Sequence, residues 1–264
     1  SKLHGKRVQA QTEAKNHALV LADCNLEATT NAIINSTYGC AGMRCMALPV
    51  VVVEESIADD FVALLKKKAE AMVVGCAYKE ETKLGPVVSA AHKQKICDWI
   101  QKGIDEGAKL VLDGRDCKPK GYENGFFVGP TILDHVKPGM SVGDCEIFGP
   151  VTCIKRVKNY EEGIKIMNAN PFANGSCIFT SSGYYSRKFV METDGGMVGV
   201  NVGIPVPSAY FPFSGNKDSF FGDLHVLGKD GIHFFTRAKT VTTHWFDENA
   251  GKKEVRTWEG STEQ

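Results

Sequence analysis

Residues 47–73 read ALPVVVVEESIADDFVALLKKKAEAMV and contain the two hydrophobic patterns from which the fold can be predicted. Ala47 to Val53 is a short apolar run rich in β-branched valine, which is typical of a buried strand. From Ile57 to Val73 the apolar residues recur instead at helical spacing on one face. They are Phe61, Leu64, Leu65, Ala69 and Met72. This stretch therefore predicts a strand followed directly by a helix.

The same alternation extends in both directions from this unit. Before it, an apolar run over 18–22 is followed by a predicted helix over 26–38, with Asn25 as the N-terminal cap. The later predicted elements are helices 90–106, 160–169 and 184–193, and strands 108–113, 126–133, 151–157, 176–180 and 198–202. Strands that alternate with helices predict an α/β fold, a three-layer α/β/α sandwich with a mostly parallel sheet.

Charge and composition exclude several classes of partner. Lysine plus arginine and aspartate plus glutamate both number 31, so no net field favours nucleic acid or an anionic membrane. No apolar run approaches the roughly 20 residues that span a bilayer, and no leader resembling a signal peptide is evident. We expect a soluble intracellular protein, in the cytoplasm or, in a eukaryote, the mitochondrial matrix.

The nine cysteines lie between Cys24 and Cys177 without CxxC spacing, which favours reduced thiols over disulfides or a zinc site. No group of ligands has recognised metal spacing, so no metal is predicted. Cys45 follows Gly42 and Arg44, and a cation and an open backbone are what a nucleophilic thiolate needs. On local sequence alone, a small buried cysteine is the more common alternative.

Ordered motifs over nearly the whole chain resemble the aldehyde dehydrogenase superfamily, and in particular its CoA-acylating methylmalonate-semialdehyde dehydrogenase branch. They are Gly5-Lys6-Arg7-Val8-Gln9, Ala14-Lys15-Asn16-His17, Gly42-Met43-Arg44-Cys45-Met46-Ala47-Leu48, Gly121-Tyr122-Glu123-Asn124-Gly125 and Ile204-Pro205-Val206-Pro207. The resemblance implies the catalytic-domain fold of that superfamily, NAD as cofactor and coenzyme A as cosubstrate.

The resemblance also implies roles for individual residues. Cys45 would be the nucleophile that forms a thiohemiacetal and then a thioester with the aldehyde, and Arg44 would hold the carboxylate of a methylmalonate or malonate semialdehyde. Glu146 would accept hydrogen bonds from the nicotinamide ribose, Phe148 would flank the nicotinamide, and the backbone at Thr12 would meet the same end of the cofactor. The alternatives are a structural arginine, a loop glutamate, a core phenylalanine and a strand-edge threonine.

Two departures from the superfamily pattern concern the release of the product. Gln11 stands where hydrolytic members have the glutamate that activates water, and an amide cannot act as that base. This favours capture of the acyl group by coenzyme A. Glu13 stands where close relatives have glycine, so a hydrolytic enzyme with Glu13 as base remains an alternative.

The resemblance implies a catalytic domain over 1–237, an oligomerisation strand over 238–245 and a polar tail over 246–264. The superfamily's NAD-binding domain is expected to precede residue 1 and to be absent from this chain, so we expect the isolated chain to be inactive. We expect a homo-oligomer, a tetramer for the whole protein and a dimer for this chain. A non-catalytic assembly module that docks through residues 239–245 is the alternative from another functional class.

Overall fold

A computed structural model describes residues 4–245, and its centre is a seven-stranded sheet. In spatial order the strands are β4 (Lys109–Leu112), β5 (Thr131–Asp134), β6 (Val151–Val157), β3 (Val50–Glu54), β2 (His17–Val20), β8 (Gly175–Phe179) and β9 (Met197–Val200). All neighbouring pairs are parallel except β4 and β5, which are antiparallel. Strands separated by helices explain the parallel pairing, because a parallel connection needs a crossover.

Helices cover both faces of this sheet. The helices are α1 (Leu26–Tyr38), α2 (Glu55–Glu70), α3 (Ala90–Asp105), α4 (Ser141–Asp144), α5 (Tyr160–Ala169) and α6 (Gly183–Glu192). Val50 and Val52 pack with residues of α3, α5 and α6, whereas Val51 and Val53 pack with residues of α1 and α2. Successive side chains of a strand point to opposite faces, so the unbroken valine run of β3 fits a strand that is buried on both sides.

Shorter elements lie outside the central sheet. β1 (Ala10–Gln11) pairs with β11 (Phe220–Phe221), and β7 (Phe172–Ala173) pairs with β10 (Asn216–Lys217), both antiparallel. A last helix, α7 (Gly228–Phe235), has no buried residue. No helix within the described residues 4–245 has the length and apolar character needed to cross a membrane.

The predicted three-layer architecture is confirmed. Helices 26–38 and 160–169 have the predicted bounds, and the Asn25 side chain accepts a hydrogen bond from the Ala28 amide, as a cap does. The strand predicted over 126–133 begins only at Thr131, because Pro130 has no amide hydrogen and the Gly129 amide bonds to Gly114 outside the sheet. Helix α7 was not predicted.

The C-terminal strand is not observed. Residues 239–245 belong to no strand and are exposed, because no other strand within the described residues pairs with them. The predicted polar tail, 246–264, lies outside the described residues. The boundary predicted after residue 237 stays a prediction.

Candidate active site

The predicted site residues lie at the amino-terminal ends of four neighbouring parallel strands. Residues 11–16 lead into β2, residues 39–49 into β3, residues 146–150 into β6, and Asn174 directly precedes β8. The strands stand side by side in the order β6-β3-β2-β8. Segments far apart in sequence therefore converge at one edge of the sheet.

The Cys45 loop, residues 39–48, has an uncommon backbone conformation. Cys40, Ala41 and Gly42 all have positive φ, at 52°, 53° and 71°. A Cβ on Gly42 would lie 2.1 Å from the carbonyl oxygen of Gly149, so only glycine fits there. The left-handed conformation costs a non-glycine residue about 1–2 kcal/mol, and such strain is often found at functional sites. The close approach of Gly42 and Gly149 packs this loop against the Glu146–Pro150 segment.

Two asparagine side chains fix the peptide of Cys45. Asn16 Nδ2 donates to the Cys45 carbonyl oxygen at 2.8 Å, and Asn174 Nδ2 donates to the same oxygen at 3.1 Å. Asn16 also donates to the Ala47 carbonyl at 2.8 Å and accepts from the Gly175 amide at 2.8 Å. Because both asparagines are buried, these bonds are shielded from water and hold the loop firmly.

Cys45 itself is exposed, in a turn closed by the Ala47 amide and the Arg44 carbonyl. The thiol is therefore accessible to a substrate while its backbone is held from the sheet side. The Arg44 side chain is half-buried and donates from Nη1 to the Asn35 carbonyl at the end of α1, at 3.2 Å. Arg44 and Cys45 thus place a guanidinium and a thiol at consecutive positions of this turn.

Glu146 and Phe148 lie on the neighbouring segment. Glu146 Oε1 accepts from the Ala14 amide at 3.3 Å, and its second oxygen has no hydrogen bond within residues 4–245. Burial raises the pKa of Glu146, and the nearby Glu13 carboxylate adds to the effect. Phe148 is exposed with φ of 60°, and His92 Nε2 lies 2.7 Å from its carbonyl oxygen. Both side chains could contact a ligand, but this use of them remains a prediction.

Gln11 ends β1, and residues 12–13 follow it. Gln11 is opposite Phe220, and both hydrogen-bond donors of Thr12 are used within the chain, by the carbonyls of Ser219 and Asp218. A cofactor could therefore meet only the acceptor oxygens or the methyl group of Thr12. Glu13 is exposed next to Ala14, on the same side of the sheet edge as Glu146.

Lys15 has no counterpart in the sequence prediction. It is 1% exposed, and its Nζ has no hydrogen-bond partner within the described chain. Burial lowers its pKa, and Cys153, Lys155, Cys145 and Glu146 are the charged or ionisable neighbours. The adjacent His17 is also buried, with Nδ1 2.7 Å from the Lys15 carbonyl oxygen, and burial lowers the pKa of its imidazole well below the usual range.

Sequence reasoning missed Asn16, Asn174 and Lys15 as contributors to the site. Asn16 and Lys15 belong to the Ala14–His17 motif, so a signal was present without an assigned role. Asn174 had none, because it lies 129 residues from its partner Cys45. Among residues 4–245, no three His, Cys, Asp or Glu side chains come together as a group that could hold a metal ion.

This fold, with a cysteine turn and an acidic segment meeting at one sheet edge, agrees with the family comparison. The model of the aldehyde dehydrogenase family matches residues 1–241. The chain belongs to the aldehyde dehydrogenase family.

Its similar relatives narrow the comparison to semialdehyde dehydrogenases. Malonate-semialdehyde dehydrogenase 2 of Oceanobacillus iheyensis is 52% identical over 240 residues, which cover 91% of this chain and 49% of that protein. Malonate-semialdehyde dehydrogenase of Bacillus cytotoxicus is 48% identical over 243 residues, covering 92% of this chain and 50% of that protein. The chain thus spans about half the length of the relatives it matches.

Solved structures of similar proteins support the same comparison with semialdehyde dehydrogenases. A Sinorhizobium meliloti structure complexed with NAD and described as a methylmalonate-semialdehyde dehydrogenase superposes with a TM-score of 0.91 at 44% identity, over 93% of this chain and 50% of that one. The methylmalonate-semialdehyde dehydrogenase of Oceanimonas doudoroffii gives 0.90 at 40% identity, over 93% and 51%.

Proposed function

We propose that this chain is the catalytic half of an NAD-dependent, CoA-acylating dehydrogenase for methylmalonate or malonate semialdehyde. The observation that carries the proposal is the exposed Cys45, whose peptide is held by Asn16 and Asn174 in a loop that packs against the Glu146–Pro150 segment. The names of the similar proteins support the substrate class. Because the chain spans half their length, the activity is proposed for the protein that also contains the other half.

In this proposal Cys45 attacks the aldehyde carbon as a thiolate and forms a thiohemiacetal. Backbone N–H groups of the surrounding turn stabilise the oxyanion, and the fixed Cys45 peptide keeps those donors in place. Arg44 binds the carboxylate at the other end of the semialdehyde, where its planar fork suits two oxygens. Loss of hydride then leaves an acyl thioester on Cys45.

The residues of this chain fit a bound NAD, whose chemistry is to accept the hydride. Glu146 has one carboxylate oxygen engaged by Ala14 and one available for ribose hydroxyls. Phe148 presents an exposed ring, and the His92 contact to its carbonyl stabilises the left-handed backbone that orients it. Thr12 can offer a carbonyl. Together they would hold the nicotinamide end of NAD near the Cys45 loop.

Gln11 supports coenzyme A as the acceptor of the acyl group. Its amide cannot take a proton from water, whereas a thiol attacks the thioester without that help. The sulfur of coenzyme A bonds to the acyl carbon, the bond to Cys45 breaks, and Cys45 returns to its thiol form. The products are an acyl-CoA and the free enzyme.

A chimera tests this proposal. It joins this chain to the part of the O. iheyensis relative that the chain does not match, and NADH and acyl-CoA are measured with malonate semialdehyde, NAD and coenzyme A. We expect NADH and acyl-CoA to form in equal amounts, and the chain alone to show no turnover. NADH formation at full rate without coenzyme A, with free acid as product, would contradict CoA acylation.

Hydrolysis with Glu13 as base is the second candidate. The observation in its favour is an exposed carboxylate beside Ala14, on the same segment as the Asn16 that holds Cys45. In the same chimera this reaction predicts free acid without coenzyme A and its loss in Glu13→Gln. The first candidate predicts no effect of Glu13→Gln on acyl-CoA formation.

A further inference from the structure

The Arg44 guanidinium lies against the end of α1. Its Nη1 donates to the Asn35 carbonyl, and the same carbonyl accepts the amide of Gly39, the residue that ends the helix. The guanidinium makes no other hydrogen bond within residues 4–245. One nitrogen of this cation is thus bonded to the protein, and its remaining donors are available for a ligand.

Gly39 provides the space in which the guanidinium lies. A Cβ at this position would be 2.6 Å from Arg44 Nη2, 2.7 Å from Nη1 and 2.8 Å from Cζ. These are the three nearest atoms, and all belong to the end of a flexible side chain. Gly39 has φ of −56° and ψ of 140°, a conformation that alanine adopts without strain. The absence of a side chain is therefore needed for the position of Arg44 and not for the backbone.

We propose that Gly39 is a specificity-determining position, because it leaves space for the guanidinium of Arg44, the residue before Cys45, in the orientation that selects aldehydes bearing a carboxylate. This inference rests on the proposed function, in which Arg44 binds that carboxylate. The recognised chemistry is a short electrophile with a carboxylate near the carbon that Cys45 attacks. A bulkier residue at position 39 would displace the guanidinium and remove the preference for the anion.

The geometry favours a carboxylate over a neutral group for a physical reason. A guanidinium is planar, so the donors that the protein leaves free lie in one plane, which matches the two oxygens of a carboxylate. Holding it in advance also reduces the entropy lost when the ligand binds.

Two alkylating reagents test this inference on the chain as it is. Iodoacetate carries a carboxylate next to the carbon that reacts, whereas iodoacetamide is nearly isosteric and neutral. In both reactions the Cys45 sulfur bonds to the methylene carbon, iodide leaves, and the thiol proton passes to the buffer. The ratio of the two rates at Cys45, assigned by fragmentation of labelled peptides, reports recognition of the anion without any dehydrogenase activity.

We expect Gly39→Ala to lower the iodoacetate-to-iodoacetamide ratio about fivefold, and Arg44→Gln to lower it about tenfold. The iodoacetamide rate itself should change by less than about twofold in Gly39→Ala, because the thiol and its peptide are untouched. Gly231→Ala is the matched control: it adds the same methyl group where no atom lies within 4 Å. Its ratio should equal that of the natural chain.

The possible results separate the two hypotheses. A lower ratio in Arg44→Gln and an unchanged ratio in Gly39→Ala would overturn the role of Gly39 and leave Arg44 as the anion site. An unchanged ratio in both variants would overturn the role of Arg44 as well. In the chimera, the supporting result is a raised KM of Gly39→Ala for malonate semialdehyde with unaltered kcat/KM for propanal.

Discussion

The two ends of the parallel strands are built differently. At the carboxyl ends, polar side chains bond to one another: Asp23 accepts the Thr180 hydroxyl at 2.7 and 2.8 Å, and Arg156 Nη2 bonds to buried Asp134 at 2.8 Å. At the amino ends, asparagine side chains bond to the backbone of a strained loop and leave the Cys45 thiol exposed. The first end is closed by its own side chains, and the second is held firmly while it stays open.

This difference teaches where to look for chemistry in an open α/β sheet. The general expectation places ligands outside the carboxyl ends of the strands. In this chain the predicted site residues lie at the amino ends instead, because they belong to the connections that lead from helices into strands. Hydrogen bonds at the carboxyl ends should therefore contribute mainly to stability, and those at the amino ends to reactivity.

The largest expected effect is at the amino ends. In the chimera, Cys45→Ser should lower turnover by a factor on the order of 10⁴, because a serine hydroxyl is a much weaker nucleophile than a thiolate. Initial rates of NADH formation check this result. Cys40→Ser is the control, since it changes another exposed thiol of the same loop. Equal losses of turnover in both variants would contradict a role that is particular to Cys45.

At the carboxyl ends, Arg156→Gln should lower the free energy of unfolding by about 3 kcal/mol. The substitution leaves the carboxylate of Asp134, which is 2% exposed, without its ion pair. Urea denaturation measures the loss, and iodoacetamide labelling of Cys45 should keep its rate. Lys66→Ala, which breaks the exposed Lys66–Glu70 pair, is the control and should cost less than about 0.5 kcal/mol. Slower labelling in Arg156→Gln would show that the two ends are coupled.

Lys15→Met should raise the free energy of unfolding by about 2 kcal/mol at pH 7, because it removes a buried ammonium without a partner. Burial lowers the pKa of Lys15 in the folded chain, so the unfolded chain binds its proton more readily. The gain should therefore shrink as the pH rises and disappear above about 10.5, the ordinary pKa of lysine. Urea titrations at several pH values check this. A loss of stability at pH 7 would contradict it.

The smallest effect on stability is expected in α7, away from both ends of the parallel strands. Phe235→Ser in α7 should change the stability of this chain by less than about 0.5 kcal/mol, because this side chain is 85% exposed. Phe61→Ser in α2 is the comparison, since Phe61 is fully buried and its loss should cost about 4 kcal/mol. Thermal unfolding of both variants measures the contrast. A large loss in Phe235→Ser would show that α7 packs in solution.

The layers of the fold could be predicted from the sequence because hydrophobic period and capping are local. Asn25 caps α1 as predicted, and the valine run of β3 is buried on both faces. The reversed direction of β4 could not be predicted, since a short apolar run looks the same in either direction. Helix α7 was missed for another reason: it has only 8 residues, and none of them is buried in the core.

The resemblance of ordered motifs predicts the site residues Cys45, Arg44, Glu146 and Phe148, and the structure brings their segments to one sheet edge. Their roles stay predictions. The residues that hold these segments in place could not be found from the motifs. The contact between Gly39 and Arg44 depends on a left-handed turn that reverses the chain, and local sequence does not specify that turn.

The most direct test of the account is the mass of the acyl-enzyme. The chimera is mixed with malonate semialdehyde and NAD without coenzyme A, quenched in acid, digested and analysed by mass spectrometry. We predict an acyl group on the peptide that contains Cys45, and its disappearance on addition of coenzyme A as acyl-CoA forms. An acyl group on another cysteine, or NADH formation with Cys45 unmodified throughout the reaction, would contradict the assignment of Cys45 as the nucleophile.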